Sequence, residues 1–217
     1  MNDAIIRKIT GISAVVFALL GIATVPLYFV HSGPPPAWNV FTRDLMALIT
    51  FAFMILFFAG FGYLLRRADS TLEWIASVFH STGILFVAVA LVAVSLEAGV
   101  VFGAPDGTLD PTIDGPLADA NILIHGSIKR LLTLVLLLAA GFAILRTHIV
   151  PRWIGYAAYA IAAFNLFFVP SMYFGNDVTR FYSAIGWGNS AFCGSFLAYW
   201  ILAVGIALLL RQRRSSP

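Results

Sequence analysis

Apolar residues run along the chain in six long blocks, about 5–30, 39–66, 72–102, 119–146, 152–174 and 183–210, each bounded by charges or by Pro and Gly. Each block is long enough to span ~30 Å of hydrocarbon as a helix. The pattern therefore predicts an all-α, single-domain membrane bundle of six transmembrane helices. The fourth block departs from plain apolarity: Asn121, His125, Lys129 and Thr133 recur at every fourth position, with Arg130 beside them. On one continuous helix they form a single polar stripe.

The punctuation between blocks is specific. Arg7 and Lys8 precede the first block, which ends in Pro26, Leu27 and Tyr28 without a small-x-small cleavage site, so it reads as a retained anchor rather than a signal peptide. HSGPPPAW cannot continue a helix. Ser70 with Glu73 fits a capping box for the third block, and Asp119 is placed to cap the fourth. The stretch from Ala104 to Ala118, rich in Gly, Pro and Asp, is the longest loop. Pro151 suits a helical first turn, and Arg152 and Trp153 suit a headgroup layer. In the fifth block Asn165 and Pro170 mark a kink or a broken helix. In the sixth, Gly186, Ser190, Gly194 and Ala198 fall at every fourth position, a small-residue ridge for close helix packing.

Composition agrees with the pattern. Of 217 residues 60% are hydrophobic and 11% charged, against about 25% charged in soluble domains. The net charge of +3 is scattered over block ends with no basic tract, which argues against nucleic acid as a partner. The lone Cys193 allows neither a disulfide nor a thiol metal cluster within the chain. Arg7, Lys8, Arg66, Arg67, Arg146, Arg152, Arg211, Arg213 and Arg214 fall on one side; the other side holds Arg180 with Asp106, Asp110, Asp114, Asp119 and Asp177. The positive-inside rule then puts both termini in the cytoplasm.

The charges away from block ends are the candidate site: Arg43, Asp44, Glu97, His125, Lys129 and Arg130. Helical rise puts Lys129 ~25 Å and His125 ~31 Å above Arg146, and Arg43 with Asp44 ~33 to 35 Å above Arg66, so all gather in the outer third. An ion facing lipid costs ~2.5 to 3.5 kcal/mol at mid-bilayer, which favours inward-facing pairs: Lys129 or Arg130 with Glu97, and Arg43 with Asp44 or His125. Two readings stay open. The cluster is a pocket for a small polar or anionic solute or a proton relay through His125, or it is snorkelling plus ion pairs that fix packing.

Other chemistry finds little purchase. His80 and His125 differ in depth by ~20 Å and cannot share one haem iron, and His31 beside its Pro run is a weak alternative partner for His125. His80 with Ser77 and Ser81 reads as a hydrogen-bonded packing residue. There is no HExxH, no set of clustered histidine boxes and no phosphate-cradling loop. Gly188, Asn189 and Ser190 match part of a membrane serine protease motif, yet no histidine follows in the last two blocks to activate the hydroxyl. A Schiff base on Lys129 is disfavoured by the adjacent arginine. No cofactor or metal is assigned.

Pro151, Arg152, Trp153, Ile154 and Gly155, together with RKITG at Arg7–Gly11 and the Phe41, Arg43 start and LLRR end of the second block, resemble an extensive group of uncharacterised bacterial six-helix membrane proteins. The resemblance implies a six-helix bundle in a bacterial cytoplasmic membrane and supplies no activity. It does not extend to the acidic loop or to Lys129 and Arg130. The expectations are, in order, a structural or accessory protein acting through helix contacts with a second copy or a membrane partner, a small transporter or solute-binding protein, and a cofactor-binding enzyme.

Overall fold

In lipid every backbone N–H and C=O must be satisfied within the protein, and each apolar block accordingly becomes helix. The structure, a computed structural model, describes residues 3–31, 33–104, 108–112, 114–177 and 179–214. Asp106 and residues 215–217 lie outside the described residues, as do the side chains of Ser190, Arg213 and Arg214. The helices are α1 (Asp3–Thr24), α2 (Ala37–Ala68), α3 (Glu73–Gly103), α4 (Pro116–Leu123), α5 (Lys129–Thr147), α6 (Arg152–Phe168) and α7 (Cys193–Arg214). No strand occurs among the described residues. Six segments are long and apolar enough to cross a membrane, with α4 and α5 making one of them. Large apolar side chains such as Leu19, Leu56, Leu85, Phe142 and Tyr199 stand exposed around the outside, as a lipid-facing surface requires.

The six spans close into a ring in chain order: each packs on its successor, α3 lying against both α4 and α5 of the fourth span, and α7 returns to α1. Gly11 and Gly205 make that closure. A Cβ on Gly205 would lie 2.6 Å from the Ala14 methyl and 3.0 Å from the Gly11 carbonyl, so only glycine lets the two backbones come this close. The centre is filled unevenly. Towards the end that carries the basic residues it is apolar and aromatic, with Phe79 edge-on to Phe58 at 5.6 Å and to Phe61 at 5.5 Å, in one core with Leu136, Leu137 and Ile144. The buried charges all lie in the other half.

The basic end is tied together by exposed pairs: Arg67 with Asp3 at 3.6 Å, Arg146 with Asp69 at 3.4 Å, and Arg211 donating to the His148 carbonyl. Asp69, not Ser70, caps this turn: its Oδ1 accepts from the Thr71 N–H at 3.0 Å and the Thr71 hydroxyl at 2.6 Å. Those bonds, with Arg146, hold the Asp69 carboxyl below the usual carboxylate range. The resulting support is present above that range and is lost as the pH falls through the lowered value. At the opposite end Pro116, following Gly115 at φ +86°, opens α4, so Asp119 sits within the first turn rather than capping it.

Two block boundaries shift. The last long helix begins at Cys193 rather than near Ser183, because 175–177 and 179–186 are tied together ahead of it: Ser183 Oγ donates to the Asp177 carbonyl at 2.7 Å and Ala184 N–H to the Gly175 carbonyl at 2.9 Å. The predicted ridge is therefore not one helical line. Gly186 lies in that loop, a π turn over Gly188–Phe192 intervenes, and Gly194 faces open space with nothing within 4 Å of its Cβ position. Close approach is found instead at Gly11 and Gly205, and at Gly141 against the Gly155 carbonyl.

Candidate functional site

The fourth span does not run through as one helix. Between α4 and α5 the chain makes a π turn over Ile124–Ile128, with Gly126 at φ −89°, ψ −118°, far from helical values. Glycine tolerates this, and a Cβ there would lie 2.6 Å from the Ala184 carbonyl. The break frees carbonyls inside the bundle, and Arg130 turns back to occupy them. Its Nε donates to the Gly126 carbonyl at 3.2 Å and its NH2 to the His125 carbonyl at 2.9 Å, while NH1 donates to Asn165 Oδ1 at 3.2 Å. Only a planar fork reaches several acceptors from one position. Asn165 is held in turn by its own Nδ2 donating to the Ile161 carbonyl at 2.8 Å. The polar stripe thus falls into two pieces offset by the break, and Asn165 serves it from α6 rather than marking a break of its own.

A second polar knot backs the same turn. Asn189 Nδ2, in the π turn ahead of α7, donates towards Ser171 Oγ at 2.7 Å, the Ala184 carbonyl at 3.0 Å and Ser127 Oγ at 3.3 Å. Ser127, Ser171, Ser183 and Asn189 are all buried. None of them was singled out as a binding residue from sequence, since lone Ser and Asn in apolar runs carry no periodic signal. Ser190, with its side chain outside the described residues, adds nothing here.

Arg43 and Glu97 form the tightest ion pair, NH2 to Oε1 at 2.7 Å, both 3% exposed. This corrects the pairings expected from sequence, which gave Glu97 to Lys129 or Arg130 and Arg43 to Asp44 or His125. Counted from Arg66 and Leu72, Arg43 and Glu97 lie at ~35 and ~37 Å, level with one another, whereas Lys129 is a full ten ångströms lower. Arg43 also lies 4.1 Å from the Tyr28 ring centre. Asp44 completes the group, 7% exposed, with Oδ2 lacking any hydrogen-bond donor among the described residues. Asp44 is thus a second buried carboxylate beside the Arg43–Glu97 pair in sequence. His125 links this tier downward, its Nδ1 2.9 Å from Asn121 Oδ1 and 3.1 Å from the Asn121 carbonyl.

Lys129 is the anomaly. It is 5% exposed and its ammonium has neither a carboxylate nor a hydrogen-bond acceptor among the described residues. Its neighbours are aromatic faces, Phe86 at 4.6 Å and Phe51 at 6.0 Å to the ring centres. Those rings lie ~21 and ~22 Å above the basic end, slightly deeper than the Lys129 Cα, so the side chain does not snorkel outward. Ring contacts of this kind contribute about 2 kcal/mol when desolvated, which offsets only part of the burial of a charge. Two apolar grooves of about 300 and 530 Å³ lie on the outside of α6 and α7, and neither reaches Lys129.

The histidines away from this layer bind little. His31 rests edge-on against Trp38 at 6.0 Å, and His80 Nδ1 is buried without a hydrogen-bond partner among the described residues, so the serines expected beside it do not engage that nitrogen. Fold and site together define an all-α bundle of six helices able to cross a membrane, apolar in one half and carrying a buried polar layer in the other. Comparison with family models, curated proteins and solved structures finds no match to this chain.

Proposed function

We propose that this is a multi-pass protein of a bacterial cytoplasmic membrane, of the six-helix group it resembles, that binds a small anionic solute in its outer half with Lys129 as the anchor. The basic end, where α1 begins and α7 finishes, faces the cytoplasm by the positive-inside rule. The observation that carries the reading is the unpaired ammonium. A buried cation inside a membrane protein is costly and marks a ligand or ion path. Among the described residues Arg43, Glu97 and Arg130 each have a polar partner, while the Lys129 ammonium has neither a carboxylate nor a hydrogen-bond acceptor. The broken fourth span matches how solute-binding membrane proteins expose backbone around a polar centre.

The accessory role expected first from sequence becomes the second reading, supported by the tight Arg43–Glu97 pair and the open face at Gly194. Native mass spectrometry of the protein released from mild detergent separates the two. The solute reading expects a small acid bound to the unaltered chain and absent from Lys129→Met. Bare mass on both, with a second copy or another membrane protein retained, supports the accessory role and overturns the binding one.

A further inference from the structure

We propose that the outer face of α6 seats one anionic phospholipid of the leaflet on the basic side, its phosphate at Arg152 and Arg211 and one acyl chain on the α6 surface above them. The turn between α5 and α6 gathers two guanidiniums on one residue. His148, in the left-handed region at φ +52°, ends α5; its ring Nε2 accepts from Arg152 Nε at 2.6 Å, and its carbonyl accepts from Arg211 NH1. Ile149 and Val150 are buried next to it, and Trp200 Nε1 donates to the Ile154 carbonyl at 3.0 Å, so the turn, the start of α6 and α7 are held together.

The charge there differs from its neighbours. Arg66, Arg67 and Arg146 each face a carboxylate, Glu73 at 3.9 Å, Asp3 at 3.6 Å and Asp69 at 3.4 Å. Arg152 has an uncharged imidazole nitrogen in that place and no carboxylate among the described residues, so its NH1 and NH2 groups stay open to an anion. A guanidinium fork fits two phosphate oxygens, and the exposed Trp153 beside it suits the headgroup layer.

The apolar half of the ligand follows from what stands above. Arg152, Tyr156, Ala160, Ala163 and Phe167 recur at helical spacing on α6 and are all exposed, so they form one stripe. Ala160 and Ala163 stand ~12 and ~17 Å above Arg152, and one leaflet of hydrocarbon is ~15 Å deep. Those two alanines, with Phe164 and Phe167, wall the groove of about 530 Å³. A chain whose phosphate rests on Arg152 therefore ends in that groove, whereas a free phosphate leaves it unused.

The test is native mass spectrometry of the full chain in mild detergent with palmitoyl-oleoyl phosphatidylglycerol, the matching phosphatidylcholine and glycerol phosphate in parallel. Phosphatidylglycerol should be retained at ~10-fold lower concentration than phosphatidylcholine, and Arg152→Gln with Arg211→Gln should erase that preference. Should the double variant fail to fold, Arg152→Gln alone should reduce the preference ~5-fold, while Arg66→Gln should keep it. Ala163→Trp should weaken retention of both lipids. Equal retention of the two lipids by the parent, or a preference that survives loss of the arginines, overturns the headgroup site. Glycerol phosphate held as well as the phospholipid, retention unmoved by Ala163→Trp, or a second copy of the chain bound in place of lipid and lost in Ala163→Trp overturns the phospholipid as the occupant.

Discussion

At the scale of single residues, the half of the bundle away from the basic end sorts its charges by what each can reach. Arg43 takes Glu97 because the two stand level on neighbouring helices. Removing one partner leaves a buried charge alone, so Arg43→Met should cost ~3 to 5 kcal/mol, and adding Glu97→Leu should restore most of it. Thermal melts of the single and double variants decide this, and a double variant no more stable than the single would show that the pair is not the relevant unit. The depth of these groups was legible from helical rise alone. Their partners were not, since rise gives height along a helix but not which neighbour a side chain faces, and a fork as long as that of Arg130 can turn back on its own backbone.

At the scale of elements, six apolar blocks gave six spans because length and hydropathy decide whether a segment crosses lipid. The interruptions were less legible. Pro26 and Pro170 announce where α1 and α6 give way to 3-10 turns. The break at Gly126 has no proline, and a lone glycine among apolar residues is common in helices; what fixes it is tertiary, the Ala184 carbonyl pressing on one side and Arg130 capping on the other. Gly126→Ala should therefore destabilise the protein by ~1 to 3 kcal/mol. Gly194→Ala, with open space at its Cβ position, should stay within ~0.5 kcal/mol of the parent. Equal effects at the two glycines, read from the same melts, would remove the distinction drawn between the break and the sequence ridge.

At the scale of the whole molecule, the chain is a ring of helices with a dry aromatic half and a charged half, and its ends are told apart by basic and acidic loops. Single cysteines at Thr71 and Leu117, both exposed and at opposite ends, should react with an impermeant thiol reagent from opposite sides of the membrane, Leu117→Cys from outside, in a Cys193→Ser background. Reaction of both from one side would invert or collapse that map. Everything proposed for function turns on Lys129 being a charge kept for a ligand and not for the fold. In the unliganded protein, replacing it with the isosteric, apolar Lys129→Met removes an uncompensated buried ion at the loss of two ring contacts. The thermal midpoint should rise, by an amount corresponding to ~1 to 3 kcal/mol. A fall of similar size would mean that the ammonium holds the bundle together, and the account of a waiting anion site would be wrong.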